Sequence, residues 1–299
     1  MRGFVVRSQS GFYSVEASGG LYACRVRGKL KQTRQQRDML ALGDWVEFTP
    51  LSKNTGIIVQ IEPRQRIFSR LAPDPKGEYQ QIMIANLDQV VLVFACADPP
   101  PHLGMVDRFL VLAEKQGVPA VVVANKIDLV EMAQAIGLFE RYQTLGYRVI
   151  YTSAHSGMGV EDLREQLSKK VSLIAGPSGV GKSSLLNGVQ PELGLRVKQI
   201  SQITRKGRHT TVVRELFPLD DGGYVADTPG LKALALWDIQ AEELDGYFPE
   251  MRDLVADCQF SDCTHVHEPG CAILAAVKSG KILSERYQSY LRMRFGEQD

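Results

Sequence analysis

Two patterns of apolar and polar positions divide the chain. Over residues 1 to about 66 the apolar stretches are short: Gly3–Ser8, Gly11–Glu16, Leu21–Val26, Asp44–Pro50 and Gly56–Glu62. Turn-forming clusters such as Ser18-Gly19-Gly20 and Lys53-Asn54-Thr55-Gly56 separate them, and most of the intervals carry no helical pattern. Five short strands predict a small β-barrel; an OB-fold has that strand count, and an SH3-like barrel is its structural rival. From residue 89 the character changes. Buried-strand runs at Gln89–Ala95, Ala120–Ala124, Arg148–Thr152, Val171–Ala175 and Tyr224–Ala226 alternate with amphipathic stretches at Val106–Gln116, Gly137–Leu145, Val160–Ser168 and Lys182–Gly188. That alternation predicts a mostly parallel sheet covered by helices. The expected organisation is a barrel over 1–66, a linker over 67–88 marked by Pro73, Pro75 and Gly77, an α/β domain over 89–235, and helices and irregular loops over 236–299.

Composition narrows the class. With 44% apolar and 23% charged residues the chain can bury a substantial core, which excludes disordered and collagen-like structure. No apolar run approaches the ~18–20 residues of a membrane helix, and the apolar part of the opening Met1–Arg7 is too short for a signal peptide, so a cytoplasmic protein without a membrane partner is expected. It is read as a monomer. The formal net charge of +1 conceals an asymmetry: the first seventy residues hold twelve Lys and Arg against five Asp and Glu. A basic front end suits a polyanionic partner such as nucleic acid, or is simply a solvated positive face. The Arg27–Arg37 stretch is expected as a basic loop of the barrel, where OB-folds meet oligonucleotides. Phe12 and Trp45 are core residues or a base-stacking surface, and core is the expectation because strand aromatics usually pack. Cys24 and Cys96 read as small buried residues.

Four short motifs carry chemistry. Gly176-Pro177-Ser178-Gly179-Val180-Gly181-Lys182-Ser183, followed by Ser184, stands between an apolar strand and a helix. There its glycines let backbone N–H groups approach phosphate, Lys182 reaches the β- and γ-phosphates, and Ser183 holds Mg²⁺. Asn125-Lys126-Ile127-Asp128 closes another strand. Asp128 can accept from N1–H and the N2 amino group of guanine, which adenine does not offer, while Asn125 ties loops together and the Lys126 stem lies along the ring. Thr152-Ser153-Ala154 ends the next strand, where the Ala154 N–H can donate to guanine O6. Asp227-Thr228-Pro229-Gly230 places Asp227 to act on Mg²⁺ and Gly230 N–H to sense a γ-phosphate. Between these lies Thr204–Thr211, the natural position of a first switch segment, in which Thr210 or Thr211 closes over Mg²⁺. Leu231 follows the last motif, where many GTPases carry a glutamine that orients the attacking water. Slow intrinsic turnover is therefore expected, with His209 the candidate for water positioning; a histidine in a basic loop also serves as a phosphate or RNA contact. A metal set stands further on. Cys258, Cys263 and Cys271, with His265 or His267, have the composition of a closed structural zinc site, and a disulfide is disfavoured in a cytosolic chain.

The order of these motifs is more specific than any of them. The base reader precedes the phosphate loop, as if the ends of an ordinary GTPase domain had been joined and the chain reopened elsewhere. An open parallel sheet tolerates this, because ligands bind beyond the carboxyl ends of its strands whatever order the chain visits them. With the front barrel and rear Cys/His cluster, the order resembles the RsgA family of circularly permuted GTPases along essentially the whole chain. The resemblance implies an OB-fold, a permuted GTPase domain and a zinc domain whose ligands are Cys258, Cys263, His265 and Cys271. It also implies GTP and GDP as ligands, Mg²⁺ with the nucleotide, and the small ribosomal subunit with its rRNA as the partner that stimulates hydrolysis during late maturation. Two other classes compete: an RNA-binding adaptor that holds GTP without meaningful hydrolysis, and a metabolic kinase or ATPase, against which Asp128 argues.

Overall fold

The computed structural model describes residues 1–9, 11–27, 40–72, 79–194, 214–227 and 239–296, for 70–72, 79, 214 and 227 the backbone alone. His209, Thr210, Thr211, Gly230, Leu231 and the basic stretch from residue 28 to Arg37 lie outside the described residues.

The front strands fall where the alternation places them. β1 (Arg2–Gln9), β2 (Phe12–Ala17), β3 (Gly20–Val26), β4 (Trp45–Ser52) and β5 (Thr55–Ile61) pair in the order β1-β2-β3-β5-β4. Arg2, Gly3 and Phe4 of β1 then return to Glu47, Val46 and Trp45 of β4, so the sheet closes into a five-stranded barrel of the OB type. Val5, Val15, Tyr22, Cys24, Val46, Phe48 and Ile58 fill it. A bulge at Val6, where the β1–β2 register shifts between Val5 and Arg7, bends β1 so that its second half leaves β4 for another neighbour.

That neighbour is β12 (Arg214–Pro218), the edge of a second sheet ordered β10 (Arg148–Tyr151), β9 (Ala120–Asn125), β8 (Gln89–Ala95), β11 (Lys170–Ala175), β13 (Gly223–Asp227), β12. All its pairings are parallel except β12–β13. Every residue of β8 is buried. This is the pattern of a strand covered on both faces. Val90, Leu92 and Phe94 meet α1 (Leu103–Lys115) and α2 (Met132–Thr144) on one side, whereas Val91, Val93 and Ala95 meet α3 (Val160–Leu167) and α4 (Lys182–Val189) on the other.

Residues 67–88, expected as a linker, hold β6 (Ile67–Ala72) and β7 (Tyr79–Ala85), paired antiparallel. Phe68, Met83 and Ile84 are buried in the sheet's core, and Ser69 N–H and Oγ both donate to Gln116 Oε1, at 2.7 and 3.0 Å. Pro73, Pro75 and Gly77 fall between the strands rather than ending all structure. Among the aromatics, Trp45 is half-buried against the core, its ring 4.9 Å from that of Phe4 and the Arg2 guanidinium 4.0 Å from its centre. Phe12 departs from the expectation: it is 47% exposed, with the Arg25 guanidinium 4.3 Å from its ring centre.

The rear segment is helical among the described residues: α5 (Pro249–Arg252), α6 (Ala272–Lys278) and α7 (Ser284–Arg294) surround Leu244, Phe248, Met251, Ile273, Ile282 and Tyr290. Val111 of α1 belongs to the same cluster. The contact is also ionic. Arg286 of α7 is 1% exposed and donates to Asp107 of α1 at 2.6 Å and to both carboxylate oxygens of Glu250 at 2.6 and 3.2 Å. Asp107 further accepts from Tyr142 and Ser289 hydroxyls. Among the described residues no helix is long and apolar enough to cross a membrane.

Candidate nucleotide site and metal centre

The base-reading and phosphate motifs, distant and reversed in sequence, meet at the carboxyl ends of two strands of the parallel sheet that flank a third. β9 delivers Asn125 and β11 delivers the phosphate loop, with β8 between them. Asn125 is 1% exposed; its Nδ2 donates to Val180 O at 2.7 Å and its Oδ1 accepts from Thr152 Oγ1 at 3.1 Å. One amide thus fastens three loops. Gly181 makes this possible. Its φ is +95°, and a Cβ there would lie 2.4 Å from Asn125 Nδ2, so any side chain would push the base reader off the phosphate loop. Gly176, at φ +140°, passes so close to β8 that a Cβ would meet Val93 O at 2.1 Å.

Lys182 opens α4 and curls over the loop, Nζ donating to Gly176 O at 2.9 Å and Pro177 O at 2.6 Å. Ser183 is buried beside it and Ser184 half-buried, while Ser178 and Gly179 are exposed at the loop's rim. Val180 is buried under α4, anchoring the loop to the sheet. Asp227 ends β13 opposite Ile174 of β11, one strand over from the phosphate loop.

On the base side, Ser153 Oγ donates to Asp128 Oδ1 at 2.5 Å and accepts from the His155 and Ser156 N–H groups at 3.2 and 3.0 Å. The carboxylate is thereby aimed rather than free, while Asp128 itself is exposed. Lys126 takes a left-handed φ of +62°, and its Nζ donates to Asp98 O in the loop after β8. Ala154 lies half-buried in the same turn as Ser153. Thr152, Val180 O and Asp98 O were not singled out as contacts by the sequence. Only Thr152 had a visible signal, its place in the Thr-Ser-Ala string.

The metal candidates converge. One ligand atom each from Cys258, Cys263, His265 and Cys271 lies within 4.8 Å of the others. Zn–S and Zn–N bonds in a tetrahedron separate two sulfurs by about 3.8 Å and a sulfur from a nitrogen by about 3.5 Å. Here Cys258 and Cys271 Sγ are 4.0 Å apart, and His265 Nδ1 lies 3.6 and 3.4 Å from them. The donor set fits zinc. His265 is fully buried whereas His267 is exposed, which separates the two histidines. The other ring nitrogen, Nε2, meets Asp245 Oδ2 at 2.9 Å, so Nδ1 is left to face the thiols. Glu268 accepts from the Thr264 hydroxyl and the N–H groups of Thr264, Val266 and His267, holding the turn that carries the ligand. Those bonds, the Thr264 hydroxyl first, draw its carboxyl well below the usual range. Asp245, twenty residues upstream, had no local spacing signal. Burial pushes the remaining thiols, Cys24 and Cys96, up to about 11.

Comparison with known proteins places this geometry. The RsgA GTPase family model matches residues 61–237 and the RsgA N-terminal domain model residues 2–58. The chain is 44% identical to the small ribosomal subunit biogenesis GTPase RsgA of Moorella thermoacetica, over 97% of this chain and 95% of that one. Among solved structures it is similar to YjeQ from Thermotoga maritima, with 40% identity, a TM-score of 0.81 and coverage of 99% and 98% of the two chains. YloQ, described as a circularly permuted GTPase, aligns with a TM-score of 0.75 at 31% identity over 99% and 94%.

Proposed function

Since the chain belongs to the RsgA GTPase family, we propose that it binds the small ribosomal subunit and its rRNA, assists late maturation of that subunit, and is stimulated by it to hydrolyse GTP to GDP and phosphate. The observation that carries this reading is the Asn125 Nδ2 to Val180 O bond, which joins a guanine reader to a phosphate loop in reversed chain order.

Each residue has a part in the proposal. Asp128, aimed by Ser153, accepts from guanine N1–H and N2, and the Ala154 N–H donates to O6. Gly176 to Ser184 hold the phosphates, with Lys182 turning from its loop carbonyls to the β- and γ-oxygens. Ser183, Thr210 or Thr211, and Asp227 are the candidates to hold Mg²⁺, which when bound neutralises charge between the β- and γ-phosphates. Gly230 N–H meets the γ-phosphate, and His209 orients the attacking water in place of the glutamine that Leu231 replaces. Cys258, Cys263, His265 and Cys271 hold one structural zinc with no open position. The proposed division is barrel 1–66, GTPase domain 89–235 and zinc domain 236–299, with 67–88 a paired connection between the first two.

Phosphate release in a single turnover, measured with and without purified small subunits, tests the reading. The expected result is slow release alone and fast release with subunits, lost in His209→Ala while GTP affinity is kept. No release in either condition would favour an adaptor that only binds GTP. Retained stimulation in His209→Ala would remove that residue from the mechanism.

A further inference from the structure

β12 has an unusual position. In the chain it directly follows residues 195–213 and lies one hairpin before Asp227-Thr228-Pro229-Gly230, so it stands between the two candidate switch segments. In space both of its edges are occupied. Leu216, Phe217 and Pro218 oppose Ala226, Val225 and Tyr224 of β13, and Arg214 and Glu215 oppose Ser8 and Arg7 of the barrel's β1. β1 is shared in turn: Arg7 and Ser8 pair with Ser14 and Tyr13 of β2 on their other side. The apolar contact crosses the same junction. Phe4 of β1 lies 5.1 Å from the Tyr224 ring, and Phe4, Val6 and Leu42 belong to one buried cluster with Leu216 and Ala226.

The strand between the switches therefore has one edge in the GTPase sheet and one in the barrel. We infer that the β1–β12 ladder regulates the nucleotide site: a barrel engaged by RNA holds β12 in register and so sets the backbone positions of residues 214 and 227, next to which the two candidate switch segments stand in sequence. This rests on the GTPase reading given above. Coupling of this kind is reciprocal, so the bound nucleotide must also change the ladder. Among the described residues the ladder joins two residue pairs, against three to β13 and a full circuit of strands closing the barrel, which makes it the adjustable part of the junction. It is also discrete. A one-residue slip would turn each side chain to the opposite face, so β12 is either in register or unpaired.

Two measurements on the full-length, zinc-loaded chain test it. Amide hydrogen exchange is compared with GDP and with a non-hydrolysable GTP analogue bound. The expected result is an exchange rate over residues 5–9 that differs at least threefold between the two, with residues 45–61 unchanged. Equal rates over 5–9 would overturn the inference. Secondly, Arg7→Glu sets like charges directly opposite each other across the ladder, which weakens pairing. At saturating small subunits its stimulated hydrolysis should fall at least tenfold, with intrinsic turnover and GDP affinity within twofold of the parent. Exchanging the charges with Arg7→Glu/Glu215→Arg should restore stimulation to within threefold. Full stimulation in Arg7→Glu alone, or no recovery in the exchanged pair, overturns the inference. If the parent chain releases no phosphate with subunits, the functional reading falls instead, and the exchange comparison still decides the coupling.

Discussion

Replacing Arg286 with methionine should cost the protein far more than replacing any surface cation. The guanidinium is 1% exposed and serves two carboxylates that are themselves 4% and 7% exposed, Asp107 on α1 and Glu250 on α5. Those carboxylates hold it protonated, raising it above the ordinary arginine value against the opposing effect of burial. Methionine fills much of the volume, so cavity formation is a minor part of the loss. The main part is electrostatic: two buried carboxylates remain without their cation, a change that typically costs about 3–5 kcal/mol. Asp107 keeps the Tyr142 and Ser289 hydroxyls, but Glu250 loses both bonds to the guanidinium, so the estimate stays in that range. The other ion pairs between α1 and the rear segment, Lys115–Glu243 and Glu114–Arg252, are partly exposed and worth at most about 1 kcal/mol each. Urea unfolding of the zinc-loaded protein, followed by far-UV circular dichroism and by zinc release to a colorimetric chelator, should show a midpoint lowered by roughly 1–2 M. Making Glu250→Leu in the same chain should recover part of the loss, since that stranded charge is then gone while Asp107 keeps its two hydroxyl donors. A midpoint lowered by less than about 0.3 M in the single variant would refute the assignment of this cluster as the main tie between α1 and the zinc domain.

Three further outcomes are expected. Asp128→Asn removes two charge-assisted acceptors and should weaken GTP binding by about 10²–10⁴-fold while improving binding of XTP, whose O2 can accept from the new amide; unchanged GTP affinity in a competition assay would contradict the base-reading role. No thiol of the zinc-loaded protein should react quickly with a disulfide reagent at pH 8, because Cys24 and Cys96 are buried with values near 11 and in that state the other three would hold metal; denaturation with a chelator should make all five react. Burial, the charge of Glu16 and a hydrogen bond to it push the Tyr224 phenol up to about 12. A phenol whose value is raised by folding stabilises the fold fully below pH ~10 and loses that contribution as pH rises through about 12, so Tyr224→Phe should flatten the alkaline limb of stability and remove one late tyrosinate step from the absorbance titration.

Legibility followed locality. The strands of the barrel and of the parallel sheet were readable because each buries side chains in a period its own residues display, β8 most plainly with every residue apolar or uncharged. β12 escaped notice: Arg214-Glu215-Leu216-Phe217-Pro218 has charged residues at its start and proline at its end, and it is a strand because neighbours from two distant segments pair with its edges. The β6–β7 pair was hidden by the prolines between its strands. Phe12 was misjudged because alternation shows which residues share a face but not which face the barrel turns inward, and Phe12 lies outside with Arg25. At the site, contiguous motifs named the candidate nucleotide residues and the four candidate metal ligands, whereas Asp245 and the Arg286 cluster come together only through folding of segments 20 to 182 residues apart.

The Asn125–Val180 bond also has a consequence for the order in which the protein is made. Its partners are 55 residues apart, and the base reader is translated first. At about 5–20 residues per second, Asn125 waits roughly 3–11 s for the carbonyl that secures it. During that interval β8, β9 and β10 can pair, but β8 presents a bare edge until β11 is translated and takes its place there. A chain stalled between residues 125 and 180 therefore holds a half-sheet with neither the Val180 carbonyl that fastens Asn125 nor the strand that covers β8.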